Sequence, residues 1–316
     1  MPFDLLTFGE ALVEVMRTGL DQPLERPGPF IGPYPSGAPF IFAVQAARLG
    51  AQAAAIGAIG DDAFGRCLLN QLTQDGVNCQ GVRTLPGQTT GVAFVAYSSD
   101  GSRDFVFHLR HAAAGQISPA LLDERLFDGL KALHLMGSTL SIHDDALQTG
   151  LKALEMAQAA GAKISFDPNL RPQLMPPDRA RGAFAPFLQA ADVILPTVEE
   201  ALLLTGQAAL EDAIQTLLAA KPERIVIVTQ GKAGCTVYTQ DGALTIPGFP
   251  VEEIDPTGAG DCFDAGFLVR WLAGDSPAAA ARFANACGAL AVTAQGPMAG
   301  AKTFDVVEAF IQERLG

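Results

Sequence analysis

The densest group of chemically useful residues is Asp255-Pro256-Thr257-Gly258-Ala259-Gly260-Asp261, continued by Cys262-Phe263-Asp264-Ala265-Gly266-Phe267. Small residues at 258 to 260 let backbone amides converge at the start of a helix predicted to begin near Asp261. A helix terminus with free amides binds anions and suits the charge that develops on a transferring phosphoryl group. A carboxylate fixed there would be repelled by phosphates unless it had work to do, and taking a proton from an attacking hydroxyl is such work. The bland alternative is a tight turn at Gly258 and Gly260 with Asp261 capping the helix, and for these four residues alone it weighs as much as the functional reading. No GxxxxGK[ST] occurs, which argues against a P-loop enzyme, and no GxGxxG follows the first apolar run, which argues against a nicotinamide dehydrogenase.

The elements that would position this segment are legible as an alternation. Short apolar runs at Leu5 to Phe8, Ala53 to Ile59, Ala132 to Met136, Lys163 to Asp167, Val193 to Leu195 and Ile225 to Thr229 read as strands. Segments of helical spacing lie between them, at Phe42 to Leu49, Asp144 to Ala160, Glu199 to Thr205 and Leu210 to Ala219. Strands alternating with helices predict βαβ units, a mostly parallel sheet and an α/β layered fold. Two stretches leave the pattern, about residues 10–34 and 89–110. The second alternates apolar and polar residues around Ser99-Asp100-Gly101, as a hairpin with one exposed face would. Together they predict a small sheet serving as a lid over the carboxyl ends of the main strands, within one domain spanning 1–316.

Composition narrows the partners. Of 316 residues, 21 are Lys or Arg and 34 are Asp or Glu, a formal net charge of -13 that repels nucleic-acid backbones. Cys67, Cys79, Cys235, Cys262 and Cys287 are odd in number and form no CxxC pair, which fits a reduced, cytoplasmic setting. The start of the chain shows no basic region or cleavage site, and no apolar stretch approaches the roughly 18 residues that a membrane span takes. We expect neither secretion nor a membrane. His108 and His111 suggest a metal pair, but no nearby cysteine or acidic cluster completes one, so no transition-metal site is expected.

Five motifs in order carry a resemblance. They are Ser36-Gly37-Ala38-Pro39 ahead of a helix, Gly60-Asp61-Asp62-Ala63-Phe64-Gly65, Phe166-Asp167-Pro168-Asn169-Leu170-Arg171, Gly231-Lys232-Ala233-Gly234, and Asp255 to Asp261. Over essentially its whole length the sequence resembles the ribokinase-like (PfkB) carbohydrate kinases. Within that family it looks most similar to bacterial tagatose kinases, on Ile31 to Pro39, Gly101 to Phe107, Arg110-His111, His134 to Ser138 and Glu252 to Asp255.

The resemblance implies a ribokinase-like three-layer α/β sandwich, with Asp261 as base and the amides of Gly258, Ala259 and Gly260 as the anion hole. It implies ATP near Thr229, Gly231, Gly234 and Asn285, and phosphate or substrate facing Asn169 and Arg171, whose planar guanidinium suits phosphate oxygens. For the sugar it implies Glu14 and Gly37, with Arg103, His108 and Arg110 as candidates from the lid. The residue-level alternatives are a capped turn with a surface arginine at 169–171, and exposed charges at Glu14 and Arg103. Two positions depart from the family pattern: Ser36 and Ile41 stand where relatives usually carry a glycine and an asparagine, and Thr197-Val198-Glu199-Glu200 stands where they carry NxxE. The glutamate remains, so Mg2+ is expected through water held by Glu200. Asp255 and Thr257 resemble part of a K+ loop. Pairing of two copies through the lid sheet follows by analogy.

The expectation is a kinase moving the γ-phosphoryl group of ATP to a ketohexose, tagatose first, then fructose or 2-keto-3-deoxygluconate. A non-catalytic sugar or nucleotide sensor on the same fold is the competing class, against which the intact Gly258 to Asp261 run argues, because a sensor needs neither the base nor the anion hole.

Overall fold

The apolar runs become strands buried on both faces, which is why they read as continuous hydrophobic stretches instead of alternating ones. The computed structural model describes residues 2–315. Its main sheet has nine strands: β1 (Leu5–Phe8), β4 (Ala53–Gly60), β5 (Asn78–Leu85), β8 (Ala132–Met136), β9 (Lys163–Asp167), β10 (Val193–Ile194), β11 (Ile225–Thr229), β12 (Gly234–Thr239) and β13 (Gly242–Pro247). Their order is β13-β12-β11-β10-β9-β8-β1-β4-β5, parallel from β11 to β5, with β12 antiparallel to both its neighbours. A second sheet, in the order β3-β2-β6-β7, comprises β2 (Leu12–Arg17), β3 (Phe30–Ser36), β6 (Gly91–Tyr97) and β7 (Arg103–His108).

The helices are α1 (Ala38–Arg48), α2 (Ala63–Gln74), α3 (Gly137–Leu140), α4 (Asp144–Ala159), α5 (Pro177–Ala190), α6 (Val198–Thr205), α7 (Leu210–Ala219), α8 (Ala259–Leu272), α9 (Pro277–Ala291) and α10 (Phe304–Leu315). Side chains of α4 to α7 pack with Leu6, Phe8, Leu133, Phe166 and Val226 on one face of the main sheet. Phe42 of α1 and Phe263 and Phe267 of α8 pack with Leu5 and Ile227 on the other. The result is the expected three-layer α/β sandwich, with a small sheet built from the two stretches that break the alternation.

Local chemistry fixes the ends that matter. Gly206, at φ 73°, ends α6, and Thr197 begins it in a reciprocal capping box with Glu200. The β6–β7 hairpin turns at Gly101, where Gly101 N donates to Ser98 O. The Gly60 to Gly65 motif has a mechanical role. Asp62 accepts from Gly65 N at 2.8 Å to cap α2, and from Thr90 N and Oγ1 at 2.7 Å each, pinning the chain where it enters β6.

Candidate active site

The cleft of about 240 Å³ lies between the small sheet and the carboxyl ends of β1, β9 and β11. Its floor is the N-terminus of α8. That helix begins at Ala259, two residues earlier than the sequence suggests, with Gly258 as N-cap at φ 85°. A Cβ at Gly258 would lie 2.5 Å from Pro297 O, so the loop closes only with glycine there. Asp261 is therefore the third residue of the helix. Among the described residues its carboxylate makes no capping hydrogen bond, and it lines the cleft beside the amides of 258 to 260. Burial pushes its pKa well above the usual carboxylate range, Asp167 raises it further, and Arg171 opposes.

Glu14 stands on β2 and is 6% exposed, so the exposed-charge alternative does not hold for it. Ser36 Oγ donates to its Oε1 at 2.6 Å, while Oε2 is buried with no partner within the protein. Burial, then the Asp255 carboxylate, push its pKa up to about 7, against the Ser36 bond. The serine that replaces a glycine thus holds the carboxylate in place. Gly37, at φ 105°, brings the backbone so close that a Cβ would lie 2.0 Å from Glu10 O. Ile41 presents an apolar wall to the cleft and rests against Gly258.

The loop after β9 brings Asn169 and Arg171 into the cleft wall. Asn169 adopts φ 37°, a conformation asparagine tolerates, and is held by Asp167, which accepts from its N and its Nδ2 at 2.9 Å each. Glu200 lines the cleft too, but its oxygens accept Leu170 N and Thr197 N at 2.8 Å each. It ties the 169–171 loop to α6, a structural duty the sequence does not announce. Thr229, at the end of β11, also lines the cleft.

Several other expected residues lie outside the cleft wall or stand apart from it. On β7 the side chains alternate, so Arg103, Phe105 and Phe107 line the cleft while His108 points to the outer face, edge-on to Phe94. Arg110 lies past the strand end, exposed, with Nε donating to Ile142 O at 3.3 Å, and is not part of the cleft wall. Gly231 and Gly234 shape the turn from β11 to β12 outside the cleft. Asn285 uses its Nδ2 to hold Ile246 O and Pro247 O at 3.2 Å. Asp255 is 2% exposed and accepts from Tyr97 Oη, Thr257 N and Gly296 N. Thr257 itself does reach the cleft.

Three carboxyls escaped the sequence reading. Glu10, just past β1, lines the cleft and accepts from Ser138 Oγ at 2.8 Å and Thr139 Oγ1 at 2.5 Å. Asp167 was in view as part of a motif but not as a site residue; burial and Glu200 raise its pKa. Asp264 sits one turn after Asp261, a spacing of three that was the available signal. Its buried Oδ2 is 3.5 Å from His134 Nε2. Burial drives the His134 pKa down to about 3, so the ring is neutral and the pair is not an ion pair. The Asp264 pKa is raised by burial, then by Asp167 and Asp261. The cleft is an acidic pocket answered by Arg171 and Arg103. Its converged amides can hold a phosphoryl group while a buried carboxylate meets a hydroxyl.

Comparison with known proteins gives this chemistry its class. The pattern of the pfkB family carbohydrate kinases matches residues 4–303. The chain belongs to that family and is a sugar kinase. It is 35% identical over 301 residues to fructokinase-1 of Oryza sativa subsp. japonica, covering 92% of each chain. Among solved structures it is similar to a chain from Escherichia coli assigned as a ribokinase II, in complex with ATP and Mg2+, at 39% identity and a TM-score of 0.92 over 98% of this chain and 99% of that one. It is likewise similar to the fructokinase of Vibrio cholerae O395 with fructose, ADP and calcium bound, at 28% identity and a TM-score of 0.85 over 98% and 99%.

Proposed function

We propose that this kinase transfers the γ-phosphoryl group of ATP to a hydroxyl of a ketohexose, with Asp261 as the base. The observation that carries the proposal is the Asp261 carboxylate, buried without a capping bond beside the amides of Gly258, Ala259 and Gly260. The sugar lies under the small sheet, which acts as the lid, against Glu14, Gly37 and Arg103. Asp261 takes the hydroxyl proton as the oxygen attacks the γ-phosphorus, and the amides and Arg171 stabilise the transferring group. The nucleotide runs out over Thr229 toward Gly231, Gly234 and Asn285.

Mg2+ fits the acidic wall. Among the described residues no three side chains converge as ligands, yet Asp264 Oδ2 is a buried acceptor without a partner and Asp167 is crowded by Glu200. Mg2+ would be held largely by water and phosphates beside Asp167, Glu200 and Asp264, where it neutralises phosphate charge. K+ is assigned to Asp255 and Thr257 as a modulator: one structure of the V. cholerae fructokinase, a double mutant, contains potassium, and three donors already occupy Asp255 here. Turnover in KCl against NaCl tests it.

The acceptor we assign is fructose ahead of tagatose, its C4 epimer, because the curated relatives are fructokinases and one similar structure binds fructose. A sugar acid such as 2-keto-3-deoxygluconate would add a negative charge to a pocket already holding Glu10, Glu14, Asp167, Asp261 and Asp264. The outer face of the lid, with Phe30 at 38% and Val106 at 43% exposure, is assigned to a second copy of the chain.

ADP release across a sugar panel, with wild type and Asp261→Asn, tests the function. Asparagine keeps the size but accepts no proton, so turnover should fall about 10²- to 10⁴-fold while ATP still binds by calorimetry. Near-normal turnover of the variant overturns the base, and no turnover of wild type on any sugar favours the sensor.

A further inference from the structure

Tyr97 ends β6, far in sequence from the phosphoryl-binding loop, yet its side chain lands on it. Its Oη lies 2.8 Å from Asp255 Oδ1 and 2.8 Å from Thr257 Oγ1. Tyr97 donates to Asp255, and because a phenol has one proton, Thr257 donates to Tyr97. Asp255 closes the network by accepting Thr257 N at 3.0 Å and Gly296 N at 2.9 Å. The next residue along from Thr257 is Gly258, the N-cap of the helix that carries Asp261.

The other end of Tyr97 is equally placed. In the β6–β7 ladder it is the direct cross-strand partner of Arg103, so both project from the same face of the small sheet, Arg103 to the cleft and Tyr97 to the loop. From the same sheet, Tyr34 of β3 covers Gly296, where a Cβ would lie 2.7 Å from its ring. Glu14, on the neighbouring β2, feels the Asp255 charge.

We infer that Tyr97 is a positioning residue for phosphoryl transfer: through Asp255 and Thr257 it links the seating of the sugar-covering sheet to the geometry of the Gly258 to Gly260 amides. The inference rests on the proposed role of those amides and of Asp261. When the sheet sits over the sugar, the latch sets the loop, and when the sheet lifts, the loop loses a charge-assisted anchor. The effect belongs in the rate of the bound complex, not in sugar affinity.

Tyr97→Phe keeps the ring packing and removes only the hydroxyl. The loss of a buried bond to a charged partner predicts a fall in kcat of about 10- to 100-fold, with KM for the sugar within about 3-fold and Tm close to wild type. Thr257→Val cuts the same link from the other side, and the double variant should be no worse than the more impaired single one. Should Tyr97→Phe fail to fold, Thr257→Val carries the test alone with the same expected loss. A rise in sugar KM at unchanged kcat, unchanged kinetics, or additive losses in the double variant would each overturn the latch. If Asp261→Asn is inactive while Tyr97→Phe is normal, the latch alone fails; if Asp261→Asn is active, the reading beneath it fails as well.

Discussion

Asp261 and Glu14 are both carboxylates taken out of water, and their raised pKa values have opposite experimental faces. A base works only when ionised, so turnover should rise with pH as Asp261 loses its proton, with the acid limb of the kcat/KM profile above the ordinary carboxylate range. An acid limb near 4 would contradict that burial. For Glu14 the folded pKa of about 7 exceeds the ordinary 4.5, so the folded state binds the proton more tightly. Stability from this group is greatest at low pH and is lost as pH rises from 4.5 through 7. Glu14→Gln should therefore raise the Tm of the sugar-free protein at pH 8, with a gain that shrinks toward pH 4.5. The same change should raise KM for the sugar by roughly 10-fold, the worth of a hydrogen bond to a charged acceptor. A lower Tm at pH 8 together with unchanged KM would return Glu14 to a structural part.

At the scale of elements, strand alternation decides which residues of one hairpin face the cleft. Arg103 and Phe105 face the cleft and His108 does not, while Arg110 lies beyond the strand. Arg103→Ala should raise the sugar KM about 10-fold and Arg110→Ala should leave it nearly unchanged; the reverse ranking would overturn the assignment of faces. The entry to β6 is a second element-level device. Removing the Asp62 carboxylate takes away the α2 cap, typically about 1 kcal/mol, and leaves Thr90 N without its acceptor. Asp62→Ala should cost roughly 2 to 3 kcal/mol in urea unfolding and raise hydrogen exchange at the start of β6. A loss confined to α2 would show that the bond to Thr90 does not anchor the small sheet.

For the whole molecule, the small sheet has two differently built faces. The inner one carries the polar and aromatic cleft wall; the outer one carries Phe30, Phe94, Val106 and His108, with Phe30 and Phe94 rings 5.7 Å apart. An apolar face on a sheet with exposed edges is suited to a self-complementary contact between two copies. Sedimentation should find a dimer, and Val106→Asp should shift it to monomer; a monomeric wild type at micromolar concentration would refute the assignment. No helix among the described residues is long and apolar enough to cross a membrane.

The sequence by itself determined the layered α/β fold, because parallel strands buried on both faces must be apolar throughout and several match their predicted bounds to the residue, as Ala132 to Met136 does. It also made the turn at Gly258 and the carboxylate of Asp261 in the first turn of a helix legible, since a glycine N-cap, amides and a carboxylate within one helical turn are local features. Only the tertiary structure decided what depends on pairs far apart in the chain. Glu200 holds Leu170, Asp62 holds Thr90, Asn285 holds the end of β13, and Tyr97 reaches Asp255. The sidedness of β7 also belonged to tertiary structure, because alternation tells which residues share a face but not which face meets the cleft. Glu10 was unreadable for the same reason: an isolated acidic residue in a sequence is a solvated charge until the fold buries it beside another.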